Sequence, residues 1–212
     1  MCASLAIANY RDLAPAARLL DEHRRTYDSA WSLDVIAGRF VEITGSAQTA
    51  ALTTAAGLVL ETQRRGEWAA WITGPQSTFF PPDFAASGID LEALPVVRIQ
   101  DAKQAWRAAD TLLRCGGFAL VVLDTGGRST LPLSIQTRLA GLAKKHHAAL
   151  LRVTRGDDAD SKRGSLVSLR GETEKERTPD DTFNCTLRAV KDKQGKPGWV
   201  HTEVRRGPDG LC

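Results

Sequence analysis

The chain has 212 residues, 42% of them hydrophobic and 25% charged, which is the composition of one globular domain with or without a short extra piece. A chain of this length can bury a full apolar core unaided, so a disulfide scaffold, a fibrous repeat and a wholly disordered chain are excluded. Lys and Arg total 28 against 25 Asp and Glu, and a net charge of +3 is too small for the basic stripe of a dedicated nucleic-acid protein.

No run has the length of a membrane-spanning helix, and Arg11, Asp12, Arg18 and Asp21 interrupt the N-terminal apolar stretch. No secretory leader pattern precedes it, so the expectation is a cytoplasmic protein without a membrane partner. The four cysteines, Cys2, Cys115, Cys185 and Cys212, are far apart and form no C-x-x-C pair. Metal ligation favours short spacings, so no metal site is expected, and Cys115 and Cys185 read as small buried residues.

In chain order, residues 13–25 have a helical spacing, with Leu13, Ala16, Ala17 and Leu20 on one face. Residues 39–44 (RFVEIT) form a β-branched strand ending at the turn signal Gly45-Ser46, and residues 49–64 form an Ala/Leu-rich helix. Residues 68–73 (WAAWIT) are a second strand. Residues 74–87, with Pro75, Pro81 and Pro82, read as a loop too proline-rich for regular structure. A third strand spans 94–99, and the clearest helix spans 101–115. Residues 118–123 (FALVVL) are a continuous apolar run, as in a parallel strand buried on both faces. A helix over 132–147 and a strand over 148–154 complete the alternation. Residues 155–164 (RGDDADSKRG) are a charged loop. Strands at 166–170, 183–190 and 199–205 follow without helices, the last two joined by a Gly/Pro turn at 191–198. The fold class is therefore α/β, a mostly parallel sheet flanked by helices with an antiparallel C-terminal extension.

A strand, a glycine and a helix of small residues make the setting of a phosphate-binding loop, G-x-x-x-x-G-K-[ST]. Aligned on Gly45, that signature places Thr49 at its last variable position, then Ala50, Ala51 and Leu52 at the second glycine, the lysine and the magnesium-binding hydroxyl. Ala50 adds a Cβ where backbone must approach phosphate, Ala51 lacks the cation, and Leu52 cannot ligate magnesium. Thr53 and Thr54 are displaced onto other faces of the helix. The loop reads as degenerate, with no nucleotide cofactor expected, although a helix N-terminus by itself still attracts anions.

Residues 31–34 (WSLD) and 38–45 (GRFVEITG) resemble the approach to the core of RecA-type recombinases, which runs from a Ser-Leu-Asp helix through Gly-Arg-hydrophobic-Val-Glu-Ile into the phosphate loop. Val121-Val122-Leu123-Asp124 resembles the family's Walker B strand. The resemblance covers most of residues 31–206 and implies a RecA-like core over 31–212, preceded by an N-terminal helix and linker over 1–30. Departures accompany it. The family's catalytic glutamate follows the second strand, where this chain has Thr73-Gly74-Pro75-Gln76. The loop after Asp124 is short, and the place of the second DNA loop carries Asp157, Asp158 and Asp160, which repel phosphates. A short RecA-like core with a broken phosphate loop is similar to the ImuA family, accessory factors of inducible mutagenesis. The resemblance implies as partners the RecA recombinase, an ImuB-type inactive Y-family polymerase homologue and an error-prone C-family polymerase. It also implies that the apolar face of Leu13, Ala17 and Leu20 occupies the place of the recombinase's subunit-docking helix.

Other candidates have two readings. Asp124 either helps hold magnesium or caps the turn after its strand, and without the loop's lysine and hydroxyl the turn is expected. His146 and His147 sit at a helix C-terminus, where the dipole favours cations. Lys191, Lys193, Lys196, Arg205 and Arg206, with Arg188, either meet DNA or an acidic partner, or are a solvated hairpin whose lysines discourage strand pairing. Phe79, Phe80 and Phe84 either pack on the core, which is the expectation, or form a partner site. The expected function is a catalytically inactive accessory protein. The alternatives are a weak single-stranded-DNA module and a divergent ATPase.

Overall fold

A computed structural model describes residues 31–45, 49–126, 131–155, 166–179 and 182–206. The chain divides into two units, Met1–Ala30 and Trp31–Cys212, and every described residue belongs to the second. The helix expected at 13–25, with Leu13, Ala17 and Leu20, lies outside the described residues. So does 156–165, which holds most of the acidic loop.

The chain alternates α1 (Leu33–Ile36), β1 (Phe40–Gly45), α2 (Ala51–Arg64), β2 (Ala69–Thr73), α3 (Pro81–Ala86) and β3 (Val96–Arg98). There follow α4 (Ala102–Cys115), β4 (Leu120–Asp124), α5 (Leu133–His146) and β5 (Ala149–Arg155), then β6 (Leu169–Arg177), β7 (Thr182–Asp192) and β8 (Val200–Arg206). All eight strands form one sheet in the order β3-β2-β4-β5-β1-β6-β7-β8. Pairing is parallel from β3 to β6 and antiparallel from β6 to β8.

Each face of the sheet has its own core. Val41, Ile43, Trp71, Val122 and Leu151 pack against Ala55, Leu58 and Val59 of α2. Phe40, Ile72, Val121, Leu123 and Leu150 pack against Trp106, Ala109 and Leu113 of α4 and Leu139 of α5. β4 is buried at every position because it lies between β2 and β5 with helices on both sides, as its uninterrupted apolar run requires. α4 starts where the Asp101 carboxylate accepts the Gln104 amide N–H at 2.7 Å and stops at Gly116, whose φ of 71° lies in the left-handed region that favours glycine.

Three expectations are corrected. Residues 74–87 are not irregular throughout: Pro81–Ala86 is a short helix with its prolines in the first turn, where a missing N–H costs nothing. Its Phe84 is buried edge-on against Trp71, with ring centroids 4.9 Å apart, and Phe79 packs beside both, whereas Phe80 is 56% exposed. The strand expected at 166–170 instead runs over Leu169–Arg177, because buried Gly171 and Thr173 alternate with exposed Glu172, Glu174 and Glu176. Cys115 is exposed at the end of α4, not buried, while Cys185 is buried.

Charge is buried in two places that tie the sheet together. Glu42 on β1 lies directly across from Arg152 on β5 and Arg170 on β6, accepting from them at 3.0 and 2.8 Å. Arg39, just before β1, donates to Asp192 at the end of β7 at 2.6 Å and to the Ser168 and Val35 carbonyls. Burial pushes the Asp192 carboxyl up, but the Gln194 amide, the Arg39 guanidinium and the Trp199 indole N–H more than offset this and hold it below the ordinary range. Glu42→Gln would leave both arginines buried without their shared carboxylate. The expected cost is about 3–5 kcal/mol, read as a lower chemical-denaturation midpoint with unchanged far-UV circular dichroism at low denaturant.

Candidate functional site

The C-terminal ends of the parallel strands converge on the start of α2. β1 ends at Gly45, and Thr49 precedes Ala50, the N-cap residue of α2. The Thr49 hydroxyl accepts the Ala51 amide N–H at 3.0 Å, so the protein's own side chain satisfies one of the amides at the helix start. The same hydroxyl is hydrogen-bonded to the Thr173 hydroxyl at 2.7 Å, and Thr173 donates to the Thr44 carbonyl at 3.0 Å. A Cβ on Gly45 would stand 1.8 Å from the Thr49 hydroxyl oxygen, so Gly45 is required by the threonine that packs on it. Ala50 and Ala51 are fully buried, and Ala51 belongs to the α2-side core. Leu52 points its side chain toward the neighbouring groove.

Asp124 closes β4. One carboxylate oxygen accepts from the Ser77 hydroxyl at 2.5 Å and the other from the Gly126 amide at 3.1 Å. It therefore ties the loop after β2 to the turn after its own strand. The two loops touch so closely that a Cβ on Gly126 would fall 1.9 Å from the Gln76 carbonyl carbon. Residues 73–76 bring no carboxylate here; the next one downstream is Asp83, on α3. Among the described residues no group of three or more His, Cys, Asp or Glu could hold a metal ion.

A groove of about 480 Å³ runs beside α2, lined by Leu52, Leu60, Phe80, Phe84, Phe183 and Arg205 among others. The Lys175 ammonium lies 3.9 Å above the Phe183 ring. Burial pushes the Cys185 thiol up, so it stays protonated. The His201 hydrogen bond, more than offsetting burial, and the Arg205 guanidinium hold the Glu203 carboxyl low. Sequence reading missed this groove. Its walls come from α2, α3, β6, β7 and β8, and only the Phe79-Phe80-Phe84 cluster hinted at it.

The basic residues do not make one patch. Lys191, Lys193 and Lys196 sit at the β7–β8 turn, where burial and neighbouring Lys193 and Arg170 hold the Lys191 ammonium pKa down. Arg205 and Arg206 lie at the far end of β8, about 17 Å along the strand from Val200. Arg205 is paired with Glu203. Trp199 packs against the core and donates its indole N–H to Asp192 at 3.3 Å. His146 ends α5 and His147 follows in the left-handed conformation, φ 54°. Both line a cleft of about 300 Å³ at the opposite strand edge, with Asp34 and Arg65. There the Arg65 guanidinium holds the Asp34 carboxyl below its ordinary value.

No known family model matches the chain. The chain is similar to the RecA protein of Rubrobacter xylanophilus, 38% identical over 89 residues, which are 42% of this chain and 25% of that protein. RecA proteins of Kineococcus radiotolerans and Corynebacterium jeikeium match over the same length at 36% and 35% identity, covering 42% of this chain and 25% and 23% of theirs. The matched stretch spans about a quarter of the length of these relatives. A RecA-like relationship accords with the mostly parallel sheet, its flanking helices and its antiparallel end. Magnesium-ATP is expected to leave the melting temperature unchanged. A nucleotide at 100 times its dissociation constant would stabilise the fold by roughly 2.7 kcal/mol, so a saturable, magnesium-dependent rise in a thermal-shift titration would contradict the degenerate-loop reading.

Proposed function

We propose that this chain is a catalytically inactive, RecA-like accessory protein of the ImuA kind. In this reading it acts in the cytoplasm during damage-induced mutagenesis and translesion DNA synthesis. It modulates the RecA recombinase through protein contacts and joins an ImuB-type polymerase homologue and an error-prone C-family polymerase. One observation carries the reading: the RecA-like order of elements is kept while the phosphate-loop positions are Ala50, Ala51 and Leu52 and the Thr49 hydroxyl caps the helix start. A helix start whose amide is already capped from within, with neither the signature's cation nor its magnesium ligand, supports a role in protein contacts without nucleotide binding or turnover. The engagement of Asp124 by Ser77 and Gly126 supports the same view.

A weak single-stranded-DNA role rests on Lys191, Lys193 and Lys196, which share the β7–β8 turn. Trp199 beside them is held against the core, and stacking normally accompanies such binding. A divergent ATPase is disfavoured by the same three loop residues.

The test is capture of purified recombinase by the tagged chain, with and without DNA. Binding is expected in both conditions and is expected to be abolished by Leu13→Asp with Leu20→Asp while the melting temperature of the core is kept. Capture only when DNA is present would overturn the protein-contact reading. Wild-type capture by the double variant would move the contact away from Leu13 and Leu20.

A further inference from the structure

β8 is the last strand of the sheet, and among the described residues nothing pairs with its outer edge. It is seven residues long, which is long for an edge left open. Its side chains alternate. His201, Glu203 and Arg205 face the α2 side, while Val200, Thr202 and Val204 face a side that no described helix covers. Val200 and Val204 are 46% and 65% exposed, and Val190, on the same open face of β7, is 41% exposed.

The amides facing outward follow from the pairing with β7. The Ala189 amide N–H donates to the Trp199 carbonyl at 2.9 Å, which makes that pair hydrogen-bonded. Alternation then turns the peptide groups of Val200, Thr202 and Val204 away from β7. Bonding between two copies of β8 therefore has to join these even-numbered residues.

We propose that β8 pairs antiparallel with β8 of a second copy of this chain about a two-fold axis at Thr202, extending the sheet across a homodimer. The register is self-complementary. Thr202 meets Thr202 as a hydrogen-bonded pair, and Val200 meets Val204 of the second copy twice, covering the exposed valines. His201, whose Nε2 is hydrogen-bonded to Glu203 of its own strand at 2.9 Å, meets Glu203 of the second copy twice at the closer, non-hydrogen-bonded positions, so that each imidazole faces a carboxylate. Arg205 falls opposite the Trp199 ring. Moving the axis by one residue either sets Glu203 against Glu203, two like charges, or sets His201 against His201 and takes the carboxylate away from the imidazole, so the Thr202 register is the one that keeps the imidazole–carboxylate pairing on both sides. A seam of one strand pair is small beside the roughly 1,200–2,000 Å² of stable complexes, so the dimer is concentration-dependent.

The test is sedimentation velocity of the full chain from about 1 to about 200 µM, a span that brackets micromolar association. The wild type is expected to double in mass across this range. Thr202→Pro, which removes the amide at the axis, and Val204→Lys, which sets an ammonium against an apolar partner, are expected to stay monomeric. Val204 is exposed, so Val204→Lys should keep the wild-type melting temperature. Register is read separately with Thr202→Cys in a chain whose Cys2, Cys115 and Cys212 are serines. Mild oxidation is expected to give a covalent dimer, and Lys193→Cys in the same background to give none. A wild type that stays monomeric, a dimer that survives both variants, or a failure of Thr202→Cys to cross-link would each overturn the proposal.

Discussion

The carboxylate of Glu42 is the point on which the sheet turns. It is 1% exposed and shared by two guanidiniums, those of Arg152 and Arg170, each from a strand flanking β1. Taking charges out of water costs several kcal/mol per ion, and the cost is offset only when geometry and further hydrogen bonds are good. Here the carboxylate lies level with both arginines in the register, so a slip of β5 or β6 by one residue would bury the three charges apart. The triad fixes the place where the parallel core meets the antiparallel extension. The Arg39–Asp192 pair repeats the tie at the other end of β1.

That anchoring separates the fold from the phosphate loop. Gly45 is three residues beyond Glu42, and the hydrogen-bonded hydroxyls of Thr49 and Thr173 pack against it. The sheet is held by apolar burial on both faces and by buried ion pairs, none of which needs a nucleotide. A chain built this way can carry Ala50, Ala51 and Leu52 in the loop while keeping the recombinase-like order of strands. Ala51 makes the point directly, because its methyl packs into the core where the signature has a lysine.

Local patterns made much of this legible. The FALVVL run identified a central parallel strand, and Asp101 and Gly116 bracket α4 where its apolar period begins and ends. Long-range pairings were not legible: Glu42 meets Arg152 and Arg170 across 110 and 128 residues, and no periodicity encodes that. β6 reads short in the sequence because its inward positions are Gly171 and Thr173, which are not apolar; a Cβ on Gly171 would stand 2.4 Å from a Leu187 methyl. Prolines 81 and 82 read as helix breakers, yet in the first turn they start α3. At the candidate site, Gly45 to Leu52 stand out by their spacing, and Asp124 by the resemblance of its strand to a Walker B strand. The Thr49–Thr173 contact, the Ser77 partner of Asp124 and the groove at Phe80 and Phe183 depend on tertiary placement.

We propose that this RecA-like chain acts through its protein contacts and not through nucleotide chemistry or DNA. Recombinase-driven strand exchange, timed with the wild-type chain and with Lys191, Lys193 and Lys196 all changed to Glu, tests it most directly. The account predicts that both chains alter the rate of strand exchange to the same extent, since protein contacts carry the effect. An effect that disappears in the triple variant in step with single-stranded-DNA affinity would contradict it and identify masking of DNA as the mode of action.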